Sequence, residues 1–339
     1  MPSIRAARGI KAPNDQGMIF MENALNRAEG VKKPQERRPL GSTGILVTPL
    51  CYGCASAFAR DLISDDKAYA LFKAAYDLGI RFFDTSVHYG KAEDRIGAAL
   101  KKYNIDRNEI VISTKAGKKL VSGKWVQDVN PARIKENVDM SLKRMNIEYI
   151  DVLYLHGPTV KDLTEDVFLC FDELKKAGKI RACGANTFSD DVIDHIIQTK
   201  CLDVVMLDYN IVKQNREPQI KALYEKGIGV VAGQALAESC FLWDLYQIHG
   251  KKDLWYLART FGRKASRELY FQSRKFRFMN RLENLDGSQA ALKYVLDNPY
   301  VAGASVGTVS FEHLQKNVDA LNIRIPDDVR DRIKKAGKQ

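Results

Sequence analysis

From residue 38 onward, two patterns of apolar positions alternate along the chain. Short runs that are apolar at nearly every position read as strands buried on both faces. The pattern predicts eight of them, over residues 49–53, 81–84, 109–115, 149–155, 180–184, 204–207, 228–232 and 301–306. Between them lie stretches with helical spacing, over 65–78, 91–103, 130–145, 164–177, 189–199, 217–226, 288–296 and 311–321, and a last helix begins near Pro326. The punctuation agrees. Ser64 or Asp65 caps the first helix and Gly79 stops it, while Gly178 and Gly227 stop two later ones. Pro131 sits in the first turn of its helix, where a missing N–H costs nothing.

Eight apolar strands alternating with helices predict an all-parallel sheet. Over about 280 residues this suits a closed (β/α)8 barrel of the α/β class better than an open sheet. No Gly-x-Gly-x-x-Gly follows the first strand, which argues against a dinucleotide-binding open sheet. Ahead of the barrel, Gly41-Ser42-Thr43-Gly44 between β-prone pieces predicts a hairpin. Residues 1–36 are polar and without period, and read as a mobile arm before a single barrel domain at 37–339. The rhythm breaks once, over 238–286, a long insertion after the seventh strand that topology places on the C-terminal face.

Composition narrows the function classes. An apolar content of 45% supports a substantial core, yet no run is long enough to span a bilayer, so no membrane role is expected. The formal charge of +11 is concentrated between Lys251 and Arg281, where ten Lys/Arg face only Asp253 and Glu268. Such a patch attracts phosphate of any kind, but no nucleic-acid-binding signature accompanies it, and no nucleic-acid partner is expected. Cys51-x-x-Cys54 has metal or redox spacing without a second ligand pair, so no metal is expected. The other four cysteines fit a reduced, cytoplasmic protein.

In a parallel barrel every strand points its C-terminal end to one face. Asp84 ends the second strand, Lys115 the third and His156 the fourth, with Tyr89 in the loop after the second. Each has a plain structural reading: Asp84 as a helix cap, Lys115 as a solvated or ion-paired lysine, Tyr89 packed on the rim, His156 in a turn before Gly157-Pro158. Together they suit proton-coupled hydride transfer to a carbonyl. A phenol holds its proton at neutral pH, a nearby ammonium stabilises the phenolate left after donation, a carboxylate holds the ammonium, and an imidazole orients the substrate oxygen. The hydride has to come from a nicotinamide cofactor.

The segments Asp84…Tyr89-Gly90, Ser113-Thr114-Lys115, Asp151-Val152-Leu153-Tyr154-Leu155-His156, Gly178-Lys179-Ile180-Arg181, Gly184-Ala185-Asn186 and Gly307 through Leu314 to Asn317 resemble the aldo-keto reductases, from about Arg38 to the C-terminus. The resemblance implies a TIM barrel whose base is closed by the hairpin, with NADPH, or alternatively NADH, extended across the strand ends. It implies Asp84, Tyr89, Lys115 and His156 as a catalytic tetrad acting on a small carbonyl or alcohol. For the cofactor it implies Gly53, Asp84, Asn186, Met206, Gly233, Gln234, Leu236, Thr308, His313 and Asn317. Three positions depart from the family pattern: Ala185 replaces a serine, Met206 a glutamine, and Gly233 the aromatic that stacks on the nicotinamide. His313 stands where an arginine often grips the adenosine 2′-phosphate, and an imidazole is a weaker cation near pH 7. The family also holds barrels that bind cofactor and act mainly as regulatory subunits, and the missing stacker keeps that alternative in view. In the insertion, Trp243, Tyr246, Trp255, Tyr256 and Arg259 stand beside Arg263 and Arg267, which reads either as an extra helix or two packed on the rim with a solvated basic face or as a lid closing on pyrophosphate or an acidic substrate.

Overall fold

The computed structural model describes residues 35–242 and 251–338. The expected arm therefore lies almost wholly outside the described residues, as do Trp243 and Tyr246. Two short strands, β1 (Arg38–Pro39) and β2 (Leu46–Val47), pair antiparallel and form the predicted hairpin. Its Leu40, Ile45 and Val47 are fully buried, and the Ser42 amide donates to the Gly227 carbonyl at 2.8 Å. That bond ties the hairpin to the start of a barrel strand, and Leu40 packs into the same inner cluster as the strand side chains.

Eight parallel strands close the barrel, in spatial order β3 (Leu50–Gly53), β4 (Phe82–Asp84), β5 (Val111–Ala116), β8 (Ile150–His156), β9 (Ile180–Asn186), β10 (Val204–Asp208), β11 (Gly229–Gly233) and β12 (Gly303–Val306). Apolar residues occupy both faces because both are covered. Cys51, Phe82, Val152, Tyr154, Met206 and Val231 fill the interior, and the outward positions pack under helices. Those helices are α1 (Asp65–Asp77), α2 (Ala92–Lys102), α3 (Pro131–Met145), α4 (Glu165–Lys176), α5 (Asp190–Thr199), α6 (Glu217–Glu225), α9 (Gly287–Leu296) and α10 (Phe311–Asp319), followed by α11 (Asp327–Lys338). Ser64 caps α1 by accepting from the Lys67 amide, and Asn130 caps α3 ahead of Pro131. The insertion holds α7 (Lys251–Gly262), α8 (Lys264–Ser273) and a 3-10 turn at Arg274–Arg281. Among the described residues no helix is long and apolar enough to cross a membrane.

One element is absent from the pattern-based reading. Between β5 and α3 the chain folds back as an antiparallel hairpin, β6 (Lys118–Val121) and β7 (Lys124–Gln127). Leu120, Val121, Trp125 and Val126 are all exposed, so no buried face imposes the clean alternation that marks a strand. The turn is Ser122-Gly123, with φ of 48° and 78°, the left-handed pair that a two-residue hairpin needs.

Candidate active site

Strand register assembles the centre. Gly53, Asp84 and Ser113 stand side by side on β3, β4 and β5, and the Ser113 hydroxyl donates to Asp84 Oδ1 at 2.8 Å. Lys115 lies two residues further along β5, so its side chain projects from the same face. Its Nζ donates to both Asp84 oxygens, at 2.8 and 2.6 Å, and to the Thr85 carbonyl at 2.7 Å. All three ammonium protons are thus used. Asp84 is no helix cap, since α2 begins only after Lys91 and has no capping side chain.

Burial alone would pull the Lys115 ammonium down, but Asp84 and the Tyr89 phenol hold its pKa above the usual lysine value. The lysine therefore carries its charge inside the protein. That charge lies 4.9 Å from the centre of the Tyr89 ring. The rings of Tyr89 and His156 meet edge to face, 5.8 Å apart at 86°. Among the described residues the His156 Nδ1 is buried without a hydrogen-bond partner, and no protein group binds the Tyr89 hydroxyl. The Tyr89 hydroxyl is thus left for a ligand, while the His156 Nδ1 is closed off from solvent.

His156 is kept neutral. Burial, then the Lys115, Lys118 and His88 charges, pull its pKa down to about 2. His88, whose ring lies 5.7 Å from that of His156, is pulled down to about 4, mainly by burial. Both values lie below the ordinary histidine value of about 6.5, so the native protein binds fewer protons than the unfolded chain. Their stabilising contribution is present above about pH 6.5. It declines as pH falls, through about 4 for His88 and on toward about 2 for His156. Unfolding near pH 5 should take up about two protons at these residues, and His88→Asn should remove about one. Calorimetry in buffers of different ionisation enthalpy measures this, and unchanged uptake in the variant would contradict the assignment.

The tetrad lines a cleft of 1120 Å³ together with Gly53, Asn186, Met206, Gly233, Gln234, Leu236, Thr308, His313 and Asn317. A Cβ on Gly53 would stand 3.0 Å from Ser305 Oγ, and one on Gly307 2.8 Å from the Gly53 carbonyl oxygen. Side chains there would fill the floor. Asn186 is adjacent to His156 and Met206 in the register and donates to the Met206 carbonyl at 3.4 Å. A Cβ on Gly233 would touch the Met206 thioether chain at 3.4 Å, so Met206 flanks the wall that Gly233 leaves open. Gln234, in the left-handed region at φ 52°, and Leu236 lead into the insertion. Thr308 shapes the opposite lip, its hydroxyl accepting from the Ser310 amide at 3.1 Å, and His313 and Asn317 follow on α10.

The aldo/keto reductase family profile matches residues 49–338. The chain belongs to the aldo/keto reductase family. Among its relatives, the uncharacterized oxidoreductase YqkF of Bacillus subtilis is 29% identical over 299 residues, covering 85% of this chain and 92% of that one. L-galactose dehydrogenase of Arabidopsis thaliana is 26% identical over 299 residues, covering 84% and 88%. The structure of aldo-keto reductase AKR11C1 from Bacillus halodurans, in its holo form, superposes with a TM-score of 0.73 at 27% identity, covering 89% of this chain and 96% of that one.

Several cleft residues of this aldo/keto reductase escaped the sequence reading. His88 immediately precedes Tyr89, and Trp125 comes from the unforeseen hairpin, their rings 4.5 Å apart. Lys316 lines the cleft as His313 does, paired with Glu312 at 3.2 Å and Asp286 at 3.5 Å. The expected cationic pair of the insertion divides. Arg263 lines the cleft, whereas Arg267 is exposed elsewhere and donates to the Phe261 carbonyl at 3.4 Å. Arg263 is the N-cap of α8, and Arg267 lies within its first turn. Cys51 and Cys54 are buried thiols whose pKa values burial and the Asp84 charge raise well above normal, so neither is a thiolate at neutral pH.

Proposed function

We propose that this aldo/keto reductase reduces an aldehyde or ketone to an alcohol, reversibly, with a nicotinamide dinucleotide and with NADPH preferred over NADH. The observation that carries the reading is the unclaimed Tyr89 hydroxyl and neutral His156 meeting above a buried Lys115–Asp84 pair. The lining supports a dinucleotide there: Gly53 and Gly307 leave no room for side chains beside Asp84, and Asn186, Lys316, His313 and Arg263 line the same cleft. When bound there, the cofactor supplies the hydride.

The chain's own residues manage the proton. With its pKa near 2, His156 has no second proton to give at neutral pH, so it can only orient the carbonyl oxygen through a hydrogen bond. Tyr89 is left as the acid. Its phenolate, formed as the proton leaves, lies beside an ammonium that Asp84 and the Thr85 carbonyl hold in place. Relatives named D-threo-aldose 1-dehydrogenase and L-glyceraldehyde 3-phosphate reductase support a small sugar or aldehyde as the substrate class. Six free cysteines suit a reducing, cytoplasmic compartment.

Titration of each dinucleotide into the protein tests the cofactor. NADPH should bind at least about tenfold more tightly than NADH, and Arg263→Glu should weaken NADPH more than NADH. Equal affinities, unmoved by the charge reversal, would remove the preference. Binding with negligible turnover of any carbonyl would instead favour the regulatory reading, to which the missing wall at Gly233 points.

A further inference from the structure

The β6–β7 hairpin carries a feature that the reduction chemistry does not use. Register pairs Lys118 with Gln127, Leu120 with Trp125, and Lys119 with Val126. Side chains alternate along each strand, so Lys118, Leu120 and Trp125 share one face and Lys119 lies on the other. Trp125 lines the cleft and packs edge-on against His88, which places the first face toward the catalytic mouth. The His88 Nε2 approaches the Lys118 carbonyl at 3.3 Å and its Nδ1 the Ser86 hydroxyl at 3.1 Å. The Nε2 contact ties the hairpin to the loop that carries Tyr89, and the Nδ1 contact fixes the ring within that loop.

The two lysines on this strand differ. Lys119 pairs with Asp128 at 3.3 Å. Lys118 is half-buried, and among the described residues no carboxylate pairs with it. Its charge reaches both His88 and His156 and helps keep each neutral. A partly desolvated cation without a counter-ion is costly to the folded state, and an anionic ligand would offset that cost. Beside it, Trp125 lines the cleft with about half of its surface exposed, and Leu120 on the same face of the hairpin is 58% exposed.

Resting on the carbonyl-reductase reading, we propose that the hairpin selects substrates carrying an anionic oxygen group, carboxylate or phosphate, beyond an apolar or planar body, with Lys118 binding the anion and Trp125 covering the body.

Three matched aldehydes test this: benzaldehyde, para-carboxybenzaldehyde and para-formylphenyl phosphate, with NADPH as reductant. The wild type should show a KM for at least one anionic aldehyde about tenfold below that for benzaldehyde. Lys118→Met should erase that advantage with kcat nearly unchanged and leave benzaldehyde alone, and Lys118→Arg should restore it. The anion with the larger loss identifies the preferred group. Equal KM values in the wild type, or a loss in Lys118→Met shared by benzaldehyde, would overturn the proposal. Calorimetric binding of para-carboxybenzyl alcohol against benzyl alcohol repeats the comparison without turnover. Discrimination in binding with no turnover would sink the reductase reading and keep Lys118 as an anion site. Turnover without discrimination would do the reverse.

Discussion

Replacing Tyr89 with phenylalanine is expected to lower kcat for every carbonyl substrate by about 10² to 10⁴. The dinucleotide dissociation constant should stay within about twofold of the wild type, because the substitution removes one oxygen and leaves the ring against Lys115 and His156. The size of the effect follows from the absence of a substitute. His156 is neutral and Lys115 has all three protons engaged, so no neighbouring group stands ready to replace the phenol. Steady-state kinetics with a titration of cofactor binding measures both quantities. A variant that binds and turns over like the wild type would remove Tyr89 from the chemistry.

Lys115→Met has the largest expected effect on stability as well as on turnover. Lys115 is 1% exposed, and its loss strands the Asp84 carboxylate with only the Ser113 hydroxyl as a side-chain donor among the described residues. Breaking a buried pair from one side costs about 3–5 kcal/mol. Asp84→Asn combined with Lys115→Met removes both charges and should recover most of that loss, because a neutral amide needs no counter-ion. Turnover should not return in the double variant, since the phenolate would still lack its cation. Chemical denaturation separates the two roles. Recovered stability together with recovered activity would make the pair purely structural.

The eight barrel strands were legible because their burial on both faces writes itself into the chain as unbroken apolar runs. Strand ends were legible for the same reason: Asp84, Lys115 and His156 are the points where those runs stop. The β6–β7 hairpin left no such trace, since its Leu120 and Val126 face solvent on opposite sides. His88 and Lys118 were hidden for another reason. Their part in the site depends on a register between a loop and a hairpin, and no local pattern encodes a contact across 30 residues. The left-handed turn at Ala237–Ser239, with φ between 48° and 57°, was equally invisible, because alanine, glutamate and serine do not advertise that conformation. The cofactor positions were read through family resemblance, and the structure brings all of them to one cleft.

The decisive step of the proposed reaction is direct transfer from a dinucleotide to a carbonyl carbon at the Tyr89–His156 rim. Incubating the enzyme with an aldehyde and a dinucleotide deuterated at the hydride-donating nicotinamide carbon, then weighing the alcohol by mass spectrometry, tests that step most directly. One deuterium is expected on the carbinol carbon of the product from the wild type. Alcohol formed without label, or no alcohol from any aldehyde while the cofactor remains bound, would contradict it.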